Sequence, residues 1–167
     1  MRPYLRKFML SLHIATSVGW IGVVAAYLAL DLTVASSPAP AVLQSAWFAM
    51  DLIVNKVIVP LALVALVTGV IQSLGTKWGL FEHWWVLISL VLTILATLVL
   101  LSEAATVSQL AEMVAGGQAP SESHGLQGNT LLHSVGGLIV LLVVTVLNVF
   151  KPRGLTPYGW RKQQESD

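Results

Sequence analysis

Four apolar stretches divide this chain. Each is long enough to cross the hydrocarbon core of a bilayer, which takes about 20 helical residues. They fall near 8–30, 50–74, 84–106 and 130–150. Composition agrees: of 167 residues, 56% are hydrophobic and only 10% charged, against roughly a quarter charged in a soluble domain. A single four-span domain covering 1–167 is expected. The first stretch follows MRPYLRK and precedes small residues at VASSPAPA, as a secretory signal would. Its apolar run exceeds the roughly 7–15 residues of a signal core, so it reads as a true span.

Charge gives the direction. Arg2, Arg6 and Lys7 precede the first span, Lys77 lies between the second and third, and Lys151, Arg153, Arg161 and Lys162 follow the fourth. The connections 31–49 and 107–129 hold no Lys or Arg. The positive-inside rule therefore puts both termini in the cytoplasm, in a multi-pass protein of the bacterial inner membrane. The outer connections also carry the loop-like runs SSPAPA and GGQAPSESHGLQGN. Short connections favour an all-α, antiparallel four-helix bundle.

In the first span Ala15, Gly19, Gly22 and Ala26 form a smooth stripe, and His13, Ser17, Trp20, Tyr27 and Asp31 mark another face. Small residues let helices approach closely in lipid. The stripe is expected to pack tightly, or to mediate a homodimer, and the second face to be wide and partly polar. Gly136 and Gly137 offer a similar close approach in the fourth span. Ser89, Thr93 and Thr97 recur every four residues, and back-bonding to helix carbonyls is the expected role.

No cysteine is present, which excludes disulfides, thiolate metal sites and cysteine nucleophiles. Neither a phosphate loop nor a basic patch interleaved with aromatics appears, so the bilayer is the expected partner and nucleic acid is not. Chemistry then rests on the four histidines and a few charges. His124 lies in a polar loop and carries little weight. His13 sits about 9 Å into the core from the cytoplasmic side, and His133 roughly 5 Å in from the outside. These two are about 16 Å apart along the membrane normal and cannot easily ligate one iron. His83 opens the third span in FEHWW, offset from His13 by about 9 Å.

A second polar group belongs to the outer level: Asp31, Asp51, Asn55, Lys56, Glu103 and His133. Intramembrane ionisable groups tend to face inward and to pair. Lys56 with Asp51 or Glu103 is the expected ion pair, and His133 with Glu103 a metal site or proton relay. Plainer roles stay open. Trp20, Trp47, Trp78, Trp84 and Trp85 suit interface anchors. Lys56 can snorkel; Asp31, Asp51 and Glu103 can be helix ends in water. His83 can be merely interfacial, and His13 a neutral imidazole bonded to a neighbouring helix.

Haem suits His13, because imidazole binds iron well and a greasy interhelical slot holds the macrocycle. Gly19, Gly22, Gly136 and Gly137 would admit it, Trp20 and Tyr27 would wall it, and Arg6, Lys7 and Lys77 would meet the propionates.

The stretch LHIATSVGWIGVV resembles the first span of small four-helix bacterial membrane proteins, in which a histidine is followed by W-x-G. That pattern is shared by CopD-like copper-resistance domains, HemJ-type protoporphyrinogen oxidases and the uncharacterised DUF2269-like family. VIVPLALVALVTGVIQSLGTKWGLFEHWWVL and VFKPRGLTPYG are most similar to the last of these. The HemJ-type resemblance implies b haem on His13. The CopD-like resemblance implies copper. The chain departs from the first at YLALDLTV, and its four methionines are scattered.

The leading expectation is a b-haem protein for electron transfer or redox sensing. His13 would be the principal ligand, His83 the second, and a redox protein or quinone the partner. A cofactor-free accessory subunit is the second expectation, and a metal or proton transporter using Asp51, Lys56, Glu103 and His133 the third. Oxidoreductase activity would follow from haem. Bond-making catalysis is not expected, since no base, oxyanion donor and orienting carboxylate converge around Ser17.

Overall fold

The computed structural model describes residues 2–76, 78–117 and 124–165, without the side chains of 124–128. Lys77 and the His124 side chain therefore lie outside the described residues. The chain is all-α: α1 spans Pro3–Ser36, α2 Pro40–Ile53, α3 Val59–Gly75, α4 Trp84–Ala115, α5 His124–Phe150 and α6 Pro157–Gln164. A π-helical turn, Val54–Ile58, joins α2 to α3. Four helical segments are long and apolar enough to cross a membrane: Pro3–Ser36, Pro40–Gly75, Trp84–Ala115 and Asn129–Phe150.

These helices outrun the apolar stretches that seed them. α1 has 34 residues, about 51 Å of helix. The run SSPAPA is not one continuous loop, because Pro40 opens α2. Proline lacks an N–H, and the first turn of a helix needs none there. The π turn has a related cause. Pro60 cannot donate to the carbonyl four residues back, and its ring crowds that carbonyl. The ladder widens just before it, and the Val59 N–H reaches the Val54 carbonyl.

α1 packs on α3, α5 and α2, while α4 packs on α5, α2 and α3. The core joins Trp20, Val24 and Tyr27 of α1 to Trp47 and Met50 of α2, Ala62 and Ala65 of α3, Val107 and Leu110 of α4, and Leu141 of α5. The buried positions of α1 are Thr16, Trp20, Val24, Tyr27, Asp31 and Val34. The face expected to be wide is thus the packed one. Ala15, Gly22 and Ala26 of the small-residue stripe are exposed. Burying Trp20 and Tyr27 removes far more apolar area from the surface than burying glycine and alanine would. Gly136 and Gly137 are not close approaches either, since a Cβ at each would meet nothing within 4 Å. Trp47 is fully buried and Trp85 nearly so, whereas Trp84 stays exposed as an interfacial anchor would.

Candidate functional site

The end of the molecule opposite the termini gathers the most buried polar groups. Tyr27 and Asp31 lie one turn apart on α1, and that turn faces α5. Asp31 is only 2% exposed. The hydroxyls of Thr130 and Ser134 donate to it, and its Oδ2 has no partner. Thr130 and Ser134 lie four residues apart, so one face of α5 supplies both donors. Asp31 is therefore not a helix end in water. A carboxylate so placed carries its charge at a cost of several kcal/mol unless a proton or cation offsets it.

Glu103 of α4 pairs with His133 Nδ1 of α5, the one outer pairing expected that the geometry brings together. The Tyr27 phenol lies within electrostatic reach of Asp31, Glu103 and Asp51. Asp51 is committed elsewhere: its Oδ1 accepts from Ser108 at 2.5 Å and from Asn55 at 2.9 Å. Asn55 also donates to Ser108 at 3.1 Å. The expected Lys56 ion pair is corrected here. Lys56 is exposed, and the described ion pairs are His133–Glu103 and Lys162–Glu82. The π turn rotates Lys56 outward while Val54 and Ile58 face the core. The cluster is thus rich in carboxylates, with His133 set against Glu103.

His13 has a different setting. Its Nδ1 lies 3.1 Å from the Ala65 carbonyl and 3.1 Å from Thr68 Oγ1, both on α3. A Cβ at Gly69 would stand 3.1 Å from His13 Cε1. The ring therefore lies directly on that glycine and closes the α1–α3 contact. Gln72 of α3 adds a bond to the Met9 carbonyl at 3.2 Å. A haem fits this place only through Nε2, because Nδ1 and one edge of the ring are already occupied.

His83 belongs to neither group. It precedes α4, its Nδ1 meets the Trp78 carbonyl at 2.5 Å, and its ring packs edge-on against Trp78. Its backbone bridges to Leu155. Among the described residues no hydrogen bond or ring contact joins His13 to His83, and each is bonded to a different neighbour. Trp20 and Tyr27 sit in the core rather than along an open slot, and Gly19 touches Leu61 at the range of ordinary packing. Among the described residues no three His, Asp or Glu side chains converge to hold a metal ion.

The serine and threonine ladder of α4 behaves as expected. Thr93 donates to the Ser89 carbonyl at 2.7 Å and Thr97 to the Thr93 carbonyl at 2.8 Å. Sequence reasoning missed two things. One is the pairing of Asp31 with Thr130 and Ser134; the signal was the alignment of Asp31 with Trp20 and Tyr27. The other is a latch. Thr156 Oγ1 donates to the Phe81 carbonyl at 2.5 Å, the Thr156 N–H to Glu82 O at 2.9 Å, and the Trp84 N–H to Gly154 O at 3.2 Å. These bonds hold the segment after α5 against the α3–α4 connection. No family model, curated protein or solved structure matches the chain.

Proposed function

We propose that this chain is a four-span protein of the bacterial inner membrane, an antiparallel bundle with cytoplasmic termini, that takes up and releases a proton at its outer end. The observation that carries this reading is the Asp31 carboxylate, buried inside a span with one oxygen unpartnered. An ionisable group so placed is a functional candidate by default. Tyr27, Thr130 and Ser134 supply hydroxyls that can pass or share the proton. The Glu103–His133 pair stands beside them as a second exchanging group, and Asp51 contributes field through Tyr27. A proton suits the site better than a metal ion, since hydroxyls rather than converging imidazoles and carboxylates surround the orphan oxygen. Infrared titration of protein in lipid tests it. A protonated-carboxyl band that responds to pH should vanish in Asp31→Asn and shift in Glu103→Gln. An unchanged band in Asp31→Asn overturns the reading.

One observation favours a second reading, b haem on His13 for electron transfer or redox sensing. An iron-bound imidazole usually anchors its other nitrogen on a carbonyl, as Ala65 anchors Nδ1 here. Copper would use the same nitrogen. A Soret band in mild detergent extract, lost in His13→Ala, supports this reading; a colourless preparation from haem-replete cells removes it.

A further inference from the structure

Beside the latch lies an open, shallow hollow that the proposed proton site does not use. It has about 300 Å³ and is lined by Glu82, His83, Leu155, Gly159, Lys162 and Gln163, a size at the lower end of ligand pockets, roughly 300–1,000 Å³. Its two charges are opposite and adjacent, for Lys162 Nζ pairs with Glu82 Oε1. Both are reachable: the side chains are 57% and 21% exposed. The hollow lies where the apolar run of α4 begins, the depth of lipid headgroups. Exposed aromatics flank its lining residues in sequence: Phe81, Trp84, Tyr158 and Trp160. Such side chains favour that depth.

We propose that this hollow binds the headgroup of a zwitterionic membrane phospholipid carrying a primary ammonium, a phosphoethanolamine group. The lipid phosphate takes the place of the Glu82 carboxylate on Lys162, and its ammonium takes the place of Lys162 on Glu82. The ion pair is exchanged charge for charge, so neither Lys162 nor Glu82 is left without a counter-charge. A choline headgroup has no N–H to offer Glu82, and a glycerol headgroup has no positive charge. The acyl chains run back along α4 beside the flanking aromatics. The inference rests on the membrane reading but not on Asp31, so it stands or falls apart from the proton site.

The test is native mass spectrometry of the full chain, stripped of lipid in detergent and offered phosphatidylethanolamine, phosphatidylcholine and phosphatidylglycerol in turn. The expected result is several-fold greater retention of phosphatidylethanolamine. Glu82→Gln should abolish that preference and raise phosphatidylglycerol retention. Lys162→Gln, at an exposed position that folding tolerates, should lower phosphatidylethanolamine retention to the level of phosphatidylcholine. Equal retention of the three lipids, or an unchanged preference in Lys162→Gln, overturns the proposal. Free phosphoethanolamine binding as tightly as the lipid also overturns it, since the ligand would then be a soluble metabolite.

Discussion

His13 shows how much one contact decides. Its ring occupies the space that a side chain at residue 69 would fill, and the Ala65 carbonyl sets its orientation. Gly69→Ala puts a methyl 3.1 Å from His13 Cε1, so either the ring or α3 must shift. Over-packing of this kind costs about 1–3 kcal/mol, against about 1 kcal/mol that alanine gains over glycine inside a helix. A lowered unfolding temperature is expected. Residues in contact do not act additively, so combining Gly69→Ala with His13→Ala should recover part of the loss. Additive losses in the double variant would mean that the ring does not rest on Gly69. Asp31 invites the opposite change. Asp31→Asn still accepts from Thr130 and Ser134 while removing the charge, so stability near neutral pH should hold or rise. A sharp fall in unfolding temperature would show that the native site uses the charge.

At the scale of elements, two features come from single residues acting on backbone. The latch turns on Thr156, whose hydroxyl caps α6 at the Gly159 N–H, 3.1 Å away, and also reaches the Phe81 carbonyl. Loss of such a cap costs about 1–2 kcal/mol. Thr156→Val should leave the spans folded but raise hydrogen exchange in 151–165, and unchanged exchange there would refute the latch. Glycine is required at 159, because a Cβ would overlap the Glu82 carbonyl oxygen. The π turn depends on Pro60 in the same direct way. Pro60→Ala permits a regular α-helix, which removes a residue's worth of rotation between Asp51 and α3. The Asp51–Ser108 bond should break, and a cross-link between cysteines placed at 51 and 108 should form less readily. Cross-linking at the parental rate would show that the turn has another cause.

For the whole molecule, the latch carries a pH dependence of its own. The Glu82 carboxylate bonded to Lys162 pushes its ammonium above the ordinary lysine range. A group raised on folding contributes stability below its unfolded pKa and loses it as pH rises through the folded value. The share of the latch's protease resistance that this pair supplies should therefore persist from neutral to moderately alkaline pH and fade only beyond the lysine range. The pair is exposed, so its contribution is small and weakened by salt. Release of the tail at mildly alkaline pH would contradict this assignment. The Glu103–His133 pair lies on α4 and α5, away from this tail, and should survive deletion of 151–165.

Hydropathy is a property of each segment alone, so the four helices long and apolar enough to cross a membrane, the all-α character and the basic flanks could be read residue by residue. The Glu103–His133 pair was legible too, because both groups fall at one depth. Helix phase was not. A helix apolar enough to cross a membrane is apolar outside as well as inside, and its amphipathic signal fades. Only packing could decide that Trp20, Tyr27 and Asp31 turn inward while Ala15 and Gly22 turn out. The same holds for the commitment of His13 to α3, the outward turn of Lys56, and the latch between residues 70 or more positions apart. Each depends on which neighbour arrives at a given depth, and no local pattern encodes that.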